Sequence, residues 1–304
     1  MAMNTIIRMS IKAHHDAALD YAFNLLHSLD VSLSMYNPSS DISRINSHAG
    51  ISPVDVPVDA LNVIRKAVTL HDLTDGIFNP LIGSVTRLWK INRNDGVIPS
   101  TESIDSAVKL TDINNLVIDD NHVFLKHKGC VIDLGGIAKG YAGDCIAQMF
   151  RDKGIKSALI DLGGNICVIG NNFEGELWKI GIRDPFEPFN NPALVVSVRD
   201  CSVITSGNYE RFKIIDGKKY SHFFDPKTGQ SIMNDLLSVT LIDADGSIAD
   251  GLATAFMASG FNKARELSVR LGVMAVLIRN DRTIHVSEGL RDIVSGNKFH
   301  IEFF

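Results

Sequence analysis

The segment Asp133 to Ala142, Asp-Leu-Gly-Gly-Ile-Ala-Lys-Gly-Tyr-Ala, constrains this chain more than any other. The apolar run Cys130-Val131-Ile132 before it reads as a buried strand that stops at an acid and two glycines. A lysine, a third glycine and a helical pattern (Tyr141, Cys145, Ile146, Met149, Phe150) follow. A strand that feeds a helix through glycines gathers bare backbone N–H groups and the positive helix end in one place, which suits a phosphate. The spacing is neither the dinucleotide fingerprint G-x-G-x-x-G nor the P-loop G-x-x-x-x-G-K-[ST]. A plain structural corner between strand and helix fits the same residues.

Helical stripes run over residues 14–33 (Ala18, Tyr21, Leu25, Leu29) and 58–73 (Leu61, Ile64, Val68), with a turn-rich stretch, Met35 to Ser40, between them. Ser100 starts a short helix through Val108, and residues 116–118 and 123–125 form a hairpin around Asp119-Asp120-Asn121. Strands are expected at 158–161, 166–169, 178–182, 194–198 and 202–204. Asp216-Gly217 is a hairpin turn between Arg211–Ile215 and Lys218–Phe224. A strand at 236–242, helices at about 248–259 and 261–271, and a last hairpin (272–278, 282–286) complete the chain. Antiparallel runs without regular βαβ alternation predict an α+β fold of mixed, mainly antiparallel sheets with flanking helices. No repeat, long linker or internal boundary stands out, so residues 1–304 read as a single domain.

With a net charge of −5 and both signs mixed throughout, no basic stripe exists, which argues against nucleic acid as partner. Cys130, Cys145, Cys167 and Cys201 sit apart among apolar residues without a C-x-x-C, so they read as buried thiols of a reduced protein. No apolar stretch is long enough to span a bilayer, and Met1 to Ser10 carries neither a signal-peptide core nor a lipid-attachment cysteine. The expectation is therefore cytoplasmic, or periplasmic if Met1-Ala2-Met3 is the remnant of a removed export leader.

Asp250 and Thr254, four apart on a helix, share one face and can reach a single cation. A carboxylate and a hydroxyl, completed by a carbonyl, waters or substrate phosphate, form a typical magnesium site. Ser247-Ile248-Ala249-Asp250 is equally a capping box, which would leave Asp250 only closing its own helix. His222 lies where period-2 alternation puts Tyr220, His222 and Phe224 on one face, just before a Pro-x-x-Gly turn. An imidazole at a strand end serves as a base or nucleophile near neutral pH, or as a packing residue between aromatics. Asp161-Leu-Gly-Gly-Asn165, Thr205-Ser-Gly-Asn-Tyr209 and Asp75-Gly-Ile-Phe-Asn-Pro80 add further polar glycine loops, which together suggest a polar ligand.

Taken in order, these segments, with Met35-Tyr36, Ser39-x-Asp-Ile-Ser-Arg-Ile-Asn46, Trp178-Lys-Ile-Gly-Ile-Arg-Asp-Pro185, Thr205 to Phe212, His222-x-x-Asp-Pro-Lys-Thr-Gly229 and Ala249-Asp-Gly-Leu-Ala-Thr-Ala255, resemble the FAD:protein FMN transferase family, the ApbE type, over about residues 30–290. The resemblance implies two lobes around a flavin and metal cleft. It also implies an enzyme that uses FAD and Mg2+, moves FMN onto a Thr or Ser hydroxyl of a target flavoprotein, and releases AMP. Family targets carry a motif of the type Asp-Gly-x-Ser/Thr-Gly-Ala-Ser/Thr.

By position, Asp250, Thr254 and the carbonyl of Ala138 match the family's metal ligands, and His222 its catalytic histidine. Met35, Tyr36, Phe78, Asn79, Lys139, Asp161 and Ser206 fall in its flavin-contacting motifs. The chain departs from the pattern at Asn79, where family members usually carry Asp, and lacks the usual lipoprotein leader. The same residues allow an Mg2+-dependent FAD pyrophosphatase or a non-catalytic flavin-binding protein as alternatives.

Overall fold

Near-continuous apolar burial over 201–207, 236–243, 274–279 and 284–286 puts these strands at the heart of one large sheet. The computed structural model describes residues 2–12, 16–91, 97–187, 191–209, 212–296 and 299–304. In chain order it runs β1 (Ile7–Ile11), α1 (Asp16–Leu33), α2 (Asp41–Ser47), β2 (Val54–Asp55), α3 (Val58–Leu73), α4 (Gly83–Trp89) and α5 (Thr101–Lys109). Next come β3 (Leu116–Asp119), β4 (His122–Leu125), α6 (Ala138–Asp152), β5 (Ala158–Leu162), β6 (Asn165–Ile169), β7 (Trp178–Arg183) and β8 (Pro192–Val198). They lead to β9 (Cys201–Gly207), β10 (Phe212–Ile215), β11 (Lys218–Ser221), β12 (Leu236–Asp243), α7 (Gly246–Ser259) and α8 (Phe261–Leu271). The chain closes with β13 (Met274–Arg279), β14 (Ile284–Val286), β15 (Val294–Ser295) and β16 (Ile301–Phe303). The fold is α+β with mainly antiparallel sheets and flanking helices, as the strand pattern predicts.

Two compact units divide the chain. The first comprises Met1–His27, Lys139–Gly207 and Asp235–Phe304, and the second Ser28–Ala138 and Asn208–Asn234. In the first unit an eight-stranded sheet has the order β1-β5-β6-β9-β12-β13-β14-β16, antiparallel throughout except for β14–β16. A three-stranded sheet, β15-β8-β7, covers one face, with Val168, Ile180, Val196, Val203, Ile242 and Val276 in the dry layer between them. Helix α7 packs on β9 and β12. Of the four thiols expected to be buried, Cys130 and Cys167 are, whereas Cys145 and Cys201 are half-buried; loss of hydration pushes Cys167 up to about 11 and Cys201 up to about 12, which holds both protonated.

The second unit holds the sheet β2-β4-β3 and the hairpin β10–β11, with α2, α3, α4 and α5. Trp89, Val85, Ile104, Ala107 and Phe224 form one of its clusters. The Asp120-Asn121 and Asp216-Gly217 turns sit where the sequence places them, with positive φ at Asp120, Asp216 and Gly217 as tight hairpin turns require.

Several expectations need correction. Cys130-Val131-Ile132 is buried but belongs to no strand. The side chain of Asn46 takes the place of a strand partner, accepting from the Ile132 N–H at 2.7 Å and donating to its carbonyl at 3.0 Å. The buried stripe of α1 is Ala18, Ala22, Leu26, Leu29 and Leu33: Ala18 and Leu29 are buried as predicted, but Ala22 and Leu26 take the places expected for Tyr21 and Leu25, and Tyr21 is exposed beneath Lys153. The second strand of the Asp216-Gly217 hairpin ends at Ser221 rather than Phe224, so the alternation fails there and Phe223 and Phe224 are both buried.

Strands β1, β15 and β16 and helices α2 and α4 are not legible in the hydrophobic pattern, being short or at sheet edges. Residues 14 and 15 of the first stripe, and Glu210 and Arg211 of the Thr205–Phe212 motif and its hairpin, lie outside the described residues.

Asn46→Ala would leave the Ile132 amide and carbonyl buried without partners, at about 1–3 kcal/mol each. A loss of at least about 2 kcal/mol in denaturant unfolding is expected, whereas an exposed control such as Ser47→Ala should stay within about 0.5 kcal/mol.

Candidate active site

The first unit brings the starts of two helices into contact. Helix α7 opens with Asp245 as its N-cap, the carboxylate accepting from the Ile248 N–H at 3.0 Å. The preceding N–H donors, on Gly246 and Ser247, go instead to Asp144 of α6, each at 2.8 Å. The Ser247 hydroxyl also donates to Asp144. Burial holds the Asp144 carboxyl above the usual carboxylate range, with the Asp245 charge adding to the rise and the donors from Ser247 and Gly246 offsetting only part of it.

With its own helix end closed this way, Asp250 is not the acid of a capping box. It is buried, and it accepts from the Gly140 N–H of α6 at 2.9 Å while Lys139 Nζ lies 3.6 Å from its other oxygen. The capping-box reading of Ser247–Asp250 is thereby overturned, because the cap falls two residues earlier, at Asp245. The two helices are thus capped reciprocally, each by an acid of the other.

Contact this close needs glycine on both sides. A Cβ on Gly140 would sit 2.1 Å from the Gly246 carbonyl oxygen, and one on Gly246 would meet Asp144 Oδ1 and Ser202 Oγ at 2.7 Å. The pattern repeats in the sequence as Gly140-x-x-x-Asp144 and Gly246-x-x-x-Asp250. That repeat is the signal sequence reasoning missed for Asp144, since one helical turn sets a glycine beside the acid that caps the neighbour.

Thr254 follows Asp250 by one turn on α7. Asp161, the penultimate residue of β5, accepts from the Gly164 N–H at 2.8 Å, which shapes the turn into β6. Ser206 lies on β9, opposite Val239 of β12. Asn165, at the start of β6, is buried with its amide nitrogen unpartnered, a hydrogen-bond donor in reserve beside the Asp161 turn.

In the second unit, local hydrogen bonds assemble three of the motifs. Asn79 is buried, accepting from the Leu81 N–H at 2.8 Å and donating to the Thr111 carbonyl at 2.9 Å. Thr111 in turn donates from its hydroxyl to the Pro226 carbonyl at 3.1 Å. The Asp133 N–H donates to the Pro80 carbonyl at 2.9 Å, and its carboxylate accepts from the Gly135 N–H. The Thr111 carbonyl facing residue 79 is an acceptor, so it welcomes an amide there and would repel a carboxylate.

Phe78 and Met35 are buried, and Tyr36 is 63% exposed. His222 lies one residue beyond β11, its ring centroid 4.2 Å from that of Phe223. Ser221 fixes its near side by accepting from the Phe223 N–H and donating to the Ile232 carbonyl. Asp225 folds the turn beyond it by accepting from the Lys227 N–H and the Thr228 hydroxyl. Ala138 opens α6, its N–H donating to the Leu134 carbonyl at 3.0 Å.

A model of the ApbE family matches residues 3–278. The chain belongs to the ApbE family. A FAD:protein FMN transferase of Treponema pallidum is 36% identical over 295 residues, 91% of this chain and 81% of that relative. A solved flavin transferase ApbE from Vibrio cholerae covers 96% of this chain and 97% of its own, with a TM-score of 0.86 at 28% identity. An ApbE protein from Thermotoga maritima gives 0.87 at 29% identity over the same shares.

For a member of this family, the donors around Asp250 suit a hard cation. One carboxylate with lone pairs to spare and a hydroxyl one turn on are oxygen ligands of the kind magnesium takes when water and phosphate complete its shell. Among the described residues no group of three or more His, Cys, Asp or Glu could hold a metal. No described helix is long and apolar enough to cross a membrane.

Gly140→Ala should destabilise the protein by about 1–3 kcal/mol or more, because backbone rather than a mobile side chain blocks the new methyl. Gly143→Ala on the same helix meets nothing nearer than 3.8 Å and should be neutral or stabilising by up to about 1 kcal/mol. Thermal unfolding of the two variants side by side checks the contact.

Proposed function

We propose that this protein is an FAD:protein FMN transferase that moves the FMN half of FAD, with Mg2+, onto a Thr or Ser hydroxyl of a target flavoprotein and releases AMP. The observation that carries the reading is the buried Asp250 carboxylate, held by a neighbouring helix's N–H and facing Lys139, in a chain of the ApbE family. Both units belong to one transferase domain in this reading, and the target presents its hydroxyl in an Asp-Gly-x-Ser/Thr-Gly-Ala-Ser/Thr segment.

Asp250, Thr254 and the Ala138 carbonyl would hold Mg2+, which when bound supplies charge neutralisation at the pyrophosphate. Lys139 adds a fixed positive charge beside Asp250 for a phosphate oxygen. Met35, Tyr36, Phe78, Asn79, Asp161 and Ser206 contribute to the flavin nucleotide's binding segments. For Asn79 that contribution is to hold the loop's shape, since its amide is already engaged with Leu81 and Thr111.

His222 accepts the proton of the incoming hydroxyl. The hydroxyl oxygen bonds to the FMN phosphorus, the bond from that phosphorus to the bridging oxygen breaks, and AMP leaves with the oxygen. A threonine hydroxyl is a weak nucleophile without such a base.

Incubation with FAD, Mg2+ and a target domain, followed by mass spectrometry, should show one FMN added to the target's Thr or Ser. Release of free FMN and AMP with no adduct would assign the protein as an FAD pyrophosphatase instead. His222→Ala should retain FAD binding and lose transfer by about 10²–10⁴, the range of a general base. Asp250→Asn keeps an acceptor for the Gly140 N–H, so it should fold normally yet lose Mg2+-dependent transfer, and wild-type activity would refute its role as a ligand.

A further inference from the structure

Given the reading of Asp250 as a metal ligand, we propose that Asp144 is a positioning residue of the same site: it sets where Asp250 stands by gripping the first turn of α7. Asp144 takes the N–H groups of Gly246 and Ser247 and the Ser247 hydroxyl, and Asp245 takes the Ile248 N–H. The free donors of the first turn of α7 are therefore all engaged by carboxylates, and the one that reaches across from α6 is Asp144.

Asp250 sits one turn further along α7 and reaches back to the Gly140 N–H, one turn before Asp144 on α6. The four residues close a ring of contacts, Gly140 to Asp250 to Gly246 to Asp144, in which a shift of one helix along the other breaks hydrogen bonds at both corners. The glycines bring the helices close, but a glycine contact by itself tolerates sliding. The Asp144 bonds to two successive N–H groups do not, because both carboxylate oxygens are used in fixed directions.

Asp144 is thus to Asp250 what an outer-shell partner is to a metal ligand, acting through the helix rather than through the ligand's own atoms. Changes at such partners typically weaken metal affinity by about 10–100-fold.

The test uses Mn2+, which takes the same hard oxygen ligands as Mg2+, titrated into the full chain without substrate and followed by electron paramagnetic resonance. Wild-type protein should bind Mn2+ at a site that Asp250→Asn removes. Asp144→Ala should weaken that binding by about 10–100-fold, and Asp144→Asn, which keeps the shape and one acceptor oxygen, should recover part of the loss. FAD affinity measured without metal should be unchanged in both variants.

Asp144→Asn, close to isosteric, keeps the proposal open to refutation where Asp144→Ala fails to fold. Wild-type Mn2+ affinity in a folded Asp144→Asn or Asp144→Ala, even with a lowered melting temperature, would make Asp144 a purely structural cap and overturn the proposal alone. Absence from the wild type of any Mn2+ site dependent on Asp250 would instead overturn the metal reading itself, and the proposal with it.

Discussion

Reciprocal capping of α6 and α7 is the contact on which the proposed site of the first unit depends. Asp250 is buried and Asp144 half-buried, at a cost that an unpaired carboxylate could not meet. Each is compensated by the partial positive charge and the N–H groups at the start of the other helix. Because the compensation is mutual, truncating either acid to alanine uncovers donors on the neighbouring helix. The arrangement also leaves Asp250 lone pairs unused, which a carboxylate closing its own helix inside a capping box would spend differently.

The sheet beneath supports this contact. Ser202 of β9 limits the space beside Gly246, and α7 lies on β9 and β12, so the large sheet sets the depth at which the helix starts. Burial of the sheet's other face against β7 and β8 supplies the apolar area that stabilises the unit. Asp161 and Ser206, two of the candidate site residues, sit on strands of that same sheet, where backbone hydrogen bonding holds them.

The second unit reaches a similar rigidity by other means. Its motif loops are tied by single polar side chains: Asn46 to Ile132, Asn79 to Thr111, Thr111 to Pro226, and the Trp89 indole to Gly229. Each bond satisfies a backbone group that a strand partner would otherwise have taken. Loops held this way keep defined shapes without regular secondary structure. That explains why Cys130–Ile132, which looks like a strand from its apolar run, is buried without belonging to a ladder.

Local patterns were enough for the helices at 58–73, 101–109 and 261–271, the Asp120-Asn121 and Asp216-Gly217 turns, and most strands of the large sheet, since periodicity and turn chemistry act over a few residues. The glycine loop, Asp250, Thr254 and His222 also stood out in the sequence, as residue types in unusual company. What no local pattern contains is pairing at a distance. Gly140 and Asp250 meet although they are 110 residues apart, and Asp144 closes a helix more than 100 positions away. The acid that looked like its own helix's cap proved to be its neighbour's, because which donor a buried carboxylate satisfies depends on which helix is packed against it once the sheet has brought the two together.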